Sequence, residues 1–257
     1  MAKRRLLLAA ATTLAALVIA APSAVAVPFE GPPICSSAGT ALAGSYSNLT
    51  VSGNAYVAKG TTLTVSGKLT LARGACLDAF TLGTVHVGGN LVVSRQAILG
   101  LGCSPGAIGP EPPCGTTTTE DTVGGSIVAD QPLTMYLDGD KITGSVVSYG
   151  GGPGPTFSPY INFPIKENTI GGSLTVAGWQ GAWFGVLRNT ISGNVTIDSN
   201  VGVTRGESGQ LDSTEIVTNT IGGNLVCYAN RPAAQVGDSE GGPNVVGGHK
   251  VGQCTKV

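Results

Sequence analysis

The stretch Asn219-Thr220-Ile221-Gly222-Gly223-Asn224-Leu225-Val226-Cys227-Tyr228 decides the reading of this chain, because weaker copies of it recur from residue 51 almost to the C-terminus. Each copy can be aligned on the apolar residue before its glycines. The anchors are then Val51, Val65, Val87, Val123, Ile142, Ile170, Ile191, Ile221 and Val246. Two residues after each stands a glycine: Gly53, Gly67, Gly89, Gly125, Gly144, Gly172, Gly193, Gly223 and Gly248. The next position is polar in every copy, as in Asn54, Lys68, Ser126, Asn194, Asn224 and His249.

After the polar residue comes an alternation. The fourth and sixth positions past the anchor are mostly small or apolar, as in Leu69 and Leu71, Leu174 and Val176, and Leu225 and Cys227. The fifth is Thr, Val or Tyr and faces outward. Period two marks a strand with one buried face. One short strand per repeat cannot bury that face alone, but stacking each strand on the last makes a continuous apolar column. The pattern therefore predicts an all-β fold, a parallel β-helix of about nine short rungs. At the ~4.8 Å strand spacing these form a rod of about 40 Å. The glycine fits a bend that needs either a positive φ or a close backbone approach. Anchors 14 to 36 residues apart imply loops inserted at one corner of the coil. The competing reading is a sandwich or barrel in which Gly-Gly and Gly-Asn are hairpin turns. The polar column at one offset favours stacking, since amides and hydroxyls can bond along a ladder.

The ends depart from the repeat. Lys3-Arg4-Arg5, the uncharged apolar run Leu6 to Ala21 and Ala24-Val25-Ala26 have the form of a signal peptide over residues 1–26. Residues 27–48 hold Pro28, Pro32, Pro33 and Cys35 and read as an N-terminal cap, leaving 49–257 as the β-helix domain. In the ninth copy Lys250 and Gly252 replace the inward apolar pair, which marks a C-terminal capping rung.

Composition narrows the function. Glycine, at 40 of 257 residues, is about twice its usual share of roughly 7%, yet the chain is rich in strand-forming residues and is not low-complexity. Without Lys3, Arg4 and Arg5 the 14 basic residues fall to 11, against 15 acidic ones, a net charge of −4. No basic run is present to attract a nucleic acid. No membrane span is expected in the mature form. Six cysteines in an exported chain point to disulfides. Proximity in sequence pairs Cys35 with Cys76, Cys103 with Cys114 and Cys227 with Cys254.

Chemistry is sparse. The seventh residue after each anchor faces outward, and only Asp130 and Asp198 there are acidic. Three rungs separate them, about 14 Å, beyond the ~5 to 9.5 Å between paired glycosidase carboxylates. Asp138-Gly139-Asp140-Lys141 lacks the spaced ligands of a calcium loop and reads as a polar turn. His86 and His249 have no readable partner. No cofactor or metal is expected. More than half of the aromatic residues fall between 149 and 184, and Tyr149, Phe157, Tyr160, Trp179 and Trp183 form a candidate ligand surface for sugars or a protein. The alternative is that the loop 150–165 buries these rings.

The anchor pattern over 48–254 resembles the right-handed β-helices of the pectate-lyase-like superfamily and, more loosely, bactofilins. Asn219 to Cys227 and Gly252 to Cys254 are similar to the closing rungs of secreted actinobacterial proteins that read Asn-x-Ile-Gly-Gly-Asn-Leu-x-Cys and end Gly-Gln-Cys. The resemblance implies right-handed coiling and transfers no catalytic residue. The expectation is a secreted, non-enzymatic solenoid, structural or adhesive, at the cell envelope. Its partner would be an envelope glycan or surface protein, with self-association through flat Val/Thr faces as a further route. The alternative is an extracellular polysaccharide lyase or hydrolase.

Overall fold

The computed structural model describes residues 34–35, 39–80, 83–103, 119–154, 161–205, 211–237 and 241–257. They wind into a parallel β-helix with three faces of eight, nine and nine strands, and a two-stranded sheet at one corner. One coil runs Asn162–Lys166 on face I, Thr169–Ile170 on face II and Leu174–Ala177 on face III. The next coil, Trp183–Leu187, Thr190–Ile191 and Val195–Asp198, pairs with it in parallel and in register. Hairpins therefore do not build the fold.

The strand legible in the repeat is that of face III, and the anchors lie on face II. Leu69, Leu71, Leu174, Val176, Leu225 and Cys227 point inward and are buried, as are the anchors from Val65 to Ile221. Face I completes the core with Leu77, Leu99, Met135, Ile165, Val186 and Ile216. Each such side chain contributes about 1.5–3 kcal/mol of burial, and no coil can bury its own without its neighbours.

The turn from face II to face III explains the glycine. A Cβ on Gly223 would lie 2.4 Å from Asn194 Oδ1, because that oxygen accepts the Asn224 N–H at 2.8 Å. Gly125, Gly144, Gly172, Gly193 and Gly248 are closed in the same way by the Asn or Ser of the preceding coil. The requirement is close approach, since none of these glycines has a positive φ. The polar column is thus a ladder from side-chain oxygen to backbone N–H, running through Asn90, Ser126, Ser145, Ser173, Asn194 and Asn224.

The first anchor needs correcting. Val51 pairs with Leu71 on face III, whereas Tyr46 pairs with the anchor Val65 on face II. Gly53 is accordingly no corner glycine, and a Cβ there would meet nothing within 4 Å. Gly223→Ala should cost about 1–3 kcal/mol, as overpacking does, while Gly53→Ala should leave stability unchanged or slightly raised. Urea unfolding of the two variants tests the assignment, and equal losses would refute it.

The other corners are built differently. Glu167, Arg188 and Thr218 have left-handed φ values of 62, 54 and 55°, and each is followed by a buried asparagine, Asn168, Asn189 and Asn219. Ser199 and Ala229, with φ of 55 and 49°, precede buried Asn200 and Asn230. These amides form two internal ladders parallel to the core. Insertions fall at two corners instead of one, between faces I and II at 103–121 and between faces III and I at 150–161 and 199–214. The face II–III turn cannot lengthen without breaking its own ladder.

The ends differ from expectation at one side. Residues 40–48, assigned to the N-terminal cap, supply Thr40–Ala41 and Gly44–Tyr46, strands of the first coil itself. Ile34 and Cys35 lie along the flank of face I, where Ile34 approaches Gly100 and Cys35 is bonded to Cys76. At the other end Gln253–Lys256 form a 3-10 turn that buries Cys254 and Val257, and Lys250 donates to the Val257 carbonyl. Cys227–Cys254 ties this plug to the last full coil. The two bridges span 41 and 27 residues, and closing loops of that size is worth about 3.5–4 kcal/mol each on chain-entropy grounds. Cys103 is also disulfide-bonded, while Cys114 and residues 1–26, where a signal peptide is expected, lie outside the described residues. Among the described residues no helix is long and apolar enough to cross a membrane.

Candidate functional site

Alternation along face III sends two columns of side chains outward. One is Thr or Val in every coil from Thr50 to Val251. The second, at the strand ends, runs Asp130, Tyr149, Ala177, Asp198, Tyr228 in direct register. Tyr149 and Tyr228 are 57% and 50% exposed, among the most exposed large apolar side chains described. Each neighbours a carboxylate one strand away, Asp130 or Asp198, and the two pairs stand three coils apart, about 14 Å. Ser199 Oγ donates to Asp198 Oδ1 at 3.0 Å and orients that carboxylate. Acid and ring therefore meet as a pair on a rigid β-branched floor.

Face II carries a concave site. A groove of about 370 Å³ is lined by Thr64, His86, Thr122 and Lys141, one from each of four consecutive coils, with Ser66, Gly88, Gly124 and Thr143 along one side. The imidazole Nδ1 of His86 lies 2.8 Å from Thr122 Oγ1. Among the described residues no carboxylate lines the groove. The sequence contains the signal for this site, as these residues immediately precede the anchors Val65, Val87, Val123 and Ile142, but only the register lines them up in one column, with Thr122 between His86 and Lys141.

The other predicted ligand residues scatter. Trp179 belongs to the core, fully buried with Phe163 and Phe184 at ring separations of 5.5 and 6.5 Å, and its indole N–H donates to the Leu133 carbonyl at 3.1 Å. It turns inward because the coil widens at the Gln180–Gly181 corner, where Gly181 leaves room for the indole. Trp183 is half-buried on the outside of face I, lying over Gly185. Phe157 and Tyr160 lie outside the described residues. Of that set, the structure places Tyr149 alone on the exposed stripe, and adds Tyr228.

The polar turn Asp138-Gly139-Asp140 is not solvated. Asp138 and Asp140 are each 1% exposed, and Asp121 from the preceding coil is fully buried. Asp121 accepts the Val85 and Gly102 N–H groups at 2.6 and 2.8 Å, and Lys166 Nζ lies 3.5 Å from Asp138 Oδ2. Burial pushes the Asp121 carboxyl up to about 7. Burial, reinforced by the charges of Asp121 and Asp138, drives Asp140 well above the ordinary carboxylate range. Asp78, covered by Ile34, is pushed up to about 6 by the same desolvation. None of these three lines the groove or the exposed stripe. Among the described residues no group of three or more His, Cys, Asp or Glu is placed to hold a metal ion.

No protein-family model matches the chain, and neither does any curated protein or solved structure. The surface chemistry of the coil therefore carries the functional reading.

Proposed function

We propose that the chain is an extracellular, non-catalytic binding module that presents face III to a saccharide of the cell envelope or its surroundings. The observation that carries this reading is the stripe in which Asp130–Tyr149 and Asp198–Tyr228 recur in register three coils apart. An exposed phenol on a rigid strand covers the C–H face of a sugar ring, and a neighbouring carboxylate accepts its hydroxyl protons. Little entropy is lost on binding, since the stacked strands already hold the contacts. Disulfides at Cys35–Cys76 and Cys227–Cys254 suit an oxidising compartment. An acid–base pair for bond cleavage is missing from the stripe, as its carboxylates stand too far apart to flank one glycosidic bond.

Retention of the protein on neutral polysaccharides in affinity electrophoresis tests the reading. Tyr149→Ala and Tyr228→Ala should each weaken retention by about tenfold, the loss of one stacking contact. Retention indifferent to both changes, or absent on every polymer, would refute it. Release of unsaturated or reducing ends, abolished by Asp198→Ala, would establish the lyase or hydrolase alternative instead.

A further inference from the structure

We infer that the groove on face II is a second binding site, taking a sugar unit that carries one acidic group. This goes beyond the face III reading and does not depend on it. Its volume of about 370 Å³ sits at the lower end of the roughly 300–1,000 Å³ range of small-molecule sites. That is room for one ring and its substituents.

The lining specifies the chemistry. His86 and Lys141 stand two coils apart, about 10 Å along the stack, with Thr122 between them. The Thr122 hydroxyl engages His86 Nδ1, which leaves Nε2 as the nitrogen available to a ligand. Lys141 is exposed and makes no ion pair among the described residues. The acids adjacent in sequence to Thr122 and Lys141, Asp121 and Asp140, are both buried, and Asp121 is held by two backbone N–H groups. On a chain of net negative charge the groove is thus a local patch of one positive sign.

An isolated inorganic anion fits this lining poorly. The amides of Gly88 and Gly124 are spent on the Val65 and Val87 carbonyls at 2.8 and 2.7 Å, so the floor offers no nest of N–H groups. What remains is the hydroxyl set of Thr64, Ser66, Thr122 and Thr143, with threonine methyls and glycine Cα atoms beneath. Such a surface meets ring C–H groups and hydroxyls, while Lys141 takes the charge and His86 Nε2 a hydroxyl. Carboxylate and phosphate both satisfy that charge, so a sugar acid and a sugar phosphate share the chemistry.

Calorimetric titration of the whole mature protein with glucuronate, glucose 6-phosphate, glucose and inorganic phosphate separates these sources. Binding of one or both charged sugars, with glucose and inorganic phosphate much weaker, is the expected result. Lys141→Gln should weaken that binding about tenfold, as loss of a charge-assisted contact does, and added salt should weaken it further. Lys141 is exposed, so the fold tolerates the change, and an unshifted thermal midpoint verifies this. Tyr149→Ala should leave this binding intact, which keeps a failure here distinct from a failure on face III. Inorganic phosphate binding as tightly as the sugars, or charged-sugar binding unaffected by Lys141→Gln, would overturn the inference, as would no binding at all.

Discussion

Asn189→Ala should lower the midpoint of thermal unfolding by about 6–20 °C. Asn189 Oδ1 accepts the backbone N–H and the side-chain amide of Asn168 at 2.9 and 3.0 Å, and its own amide donates to the Ile165 carbonyl and to Asn219 Oδ1 at 2.8 and 3.0 Å. Alanine would orphan the partners on both neighbouring coils. Each buried group left unsatisfied costs about 1–3 kcal/mol, giving roughly 3–5 kcal/mol in all. At about 2–4 °C per kcal/mol for a domain of this size, the shift is about 6–20 °C.

Asn194→Ala is the control, because Asn194 belongs to the other kind of ladder. Its Oδ1 accepts the Asn224 N–H at 2.8 Å at an exposed corner, where water can replace it. The loss there should be about 1 kcal/mol. Differential scanning calorimetry of the two variants settles whether burial is what gives the inner ladder its weight. Equal shifts would show that it is not.

The contrast also explains what was legible in the sequence. Asn224 is readable as a ladder residue because it follows the corner glycine in a fixed frame. Asn219 opens the same stretch and conveys nothing by itself, because a polar residue between a loop and a strand reads as solvent-facing. Only stacking shows that its amide is fully bonded and can afford burial. Face I was invisible for a related reason: insertions lie on both sides of it, so no constant offset from the anchors finds Trp183–Leu187 or Glu215–Val217. The exposed stripe was half-visible. Asp130, Tyr149, Asp198 and Tyr228 share one offset from their anchors, but the rings concentrated at 149–184 point equally to Trp179, which the core absorbs. Hydrophobic content cannot tell which side of a coil an aromatic ring will take.

Asp140→Asn should stabilise the protein at pH 8 by about 2 kcal/mol, and the gain should shrink as the pH falls. Asp140 occupies the asparagine column: its N–H donates to Asn168 Oδ1 at 2.9 Å, as the Asn168 N–H does to Asn189 one coil on. In the coils beyond, an amide donates to the preceding face I carbonyl, and the register of Leu101 with Leu137 puts the Leu101 carbonyl in that place for residue 140. A carboxylate has no hydrogen to give there, and Asp140 Oδ1 finds no hydrogen-bond partner. Asp121 and Asp138 add like charge, and Lys166 lies near Asp138. All three shifted carboxyls, Asp78, Asp121 and Asp140, titrate higher in the fold than the ~3.9 of an unfolded aspartate. The folded state then binds more protons than the unfolded chain above about pH 4. Stability from these groups is fully present below that pH and is lost as pH rises through about 6 for Asp78 and about 7 for Asp121. Asp140→Asn supplies two donors, removes a buried charge and should raise the midpoint at pH 8 by about 4–8 °C. Unfolding curves from pH 5 to 8 decide the matter: a parent protein that grows more stable with rising pH, or a variant less stable than its parent at pH 8, would contradict this account of the column.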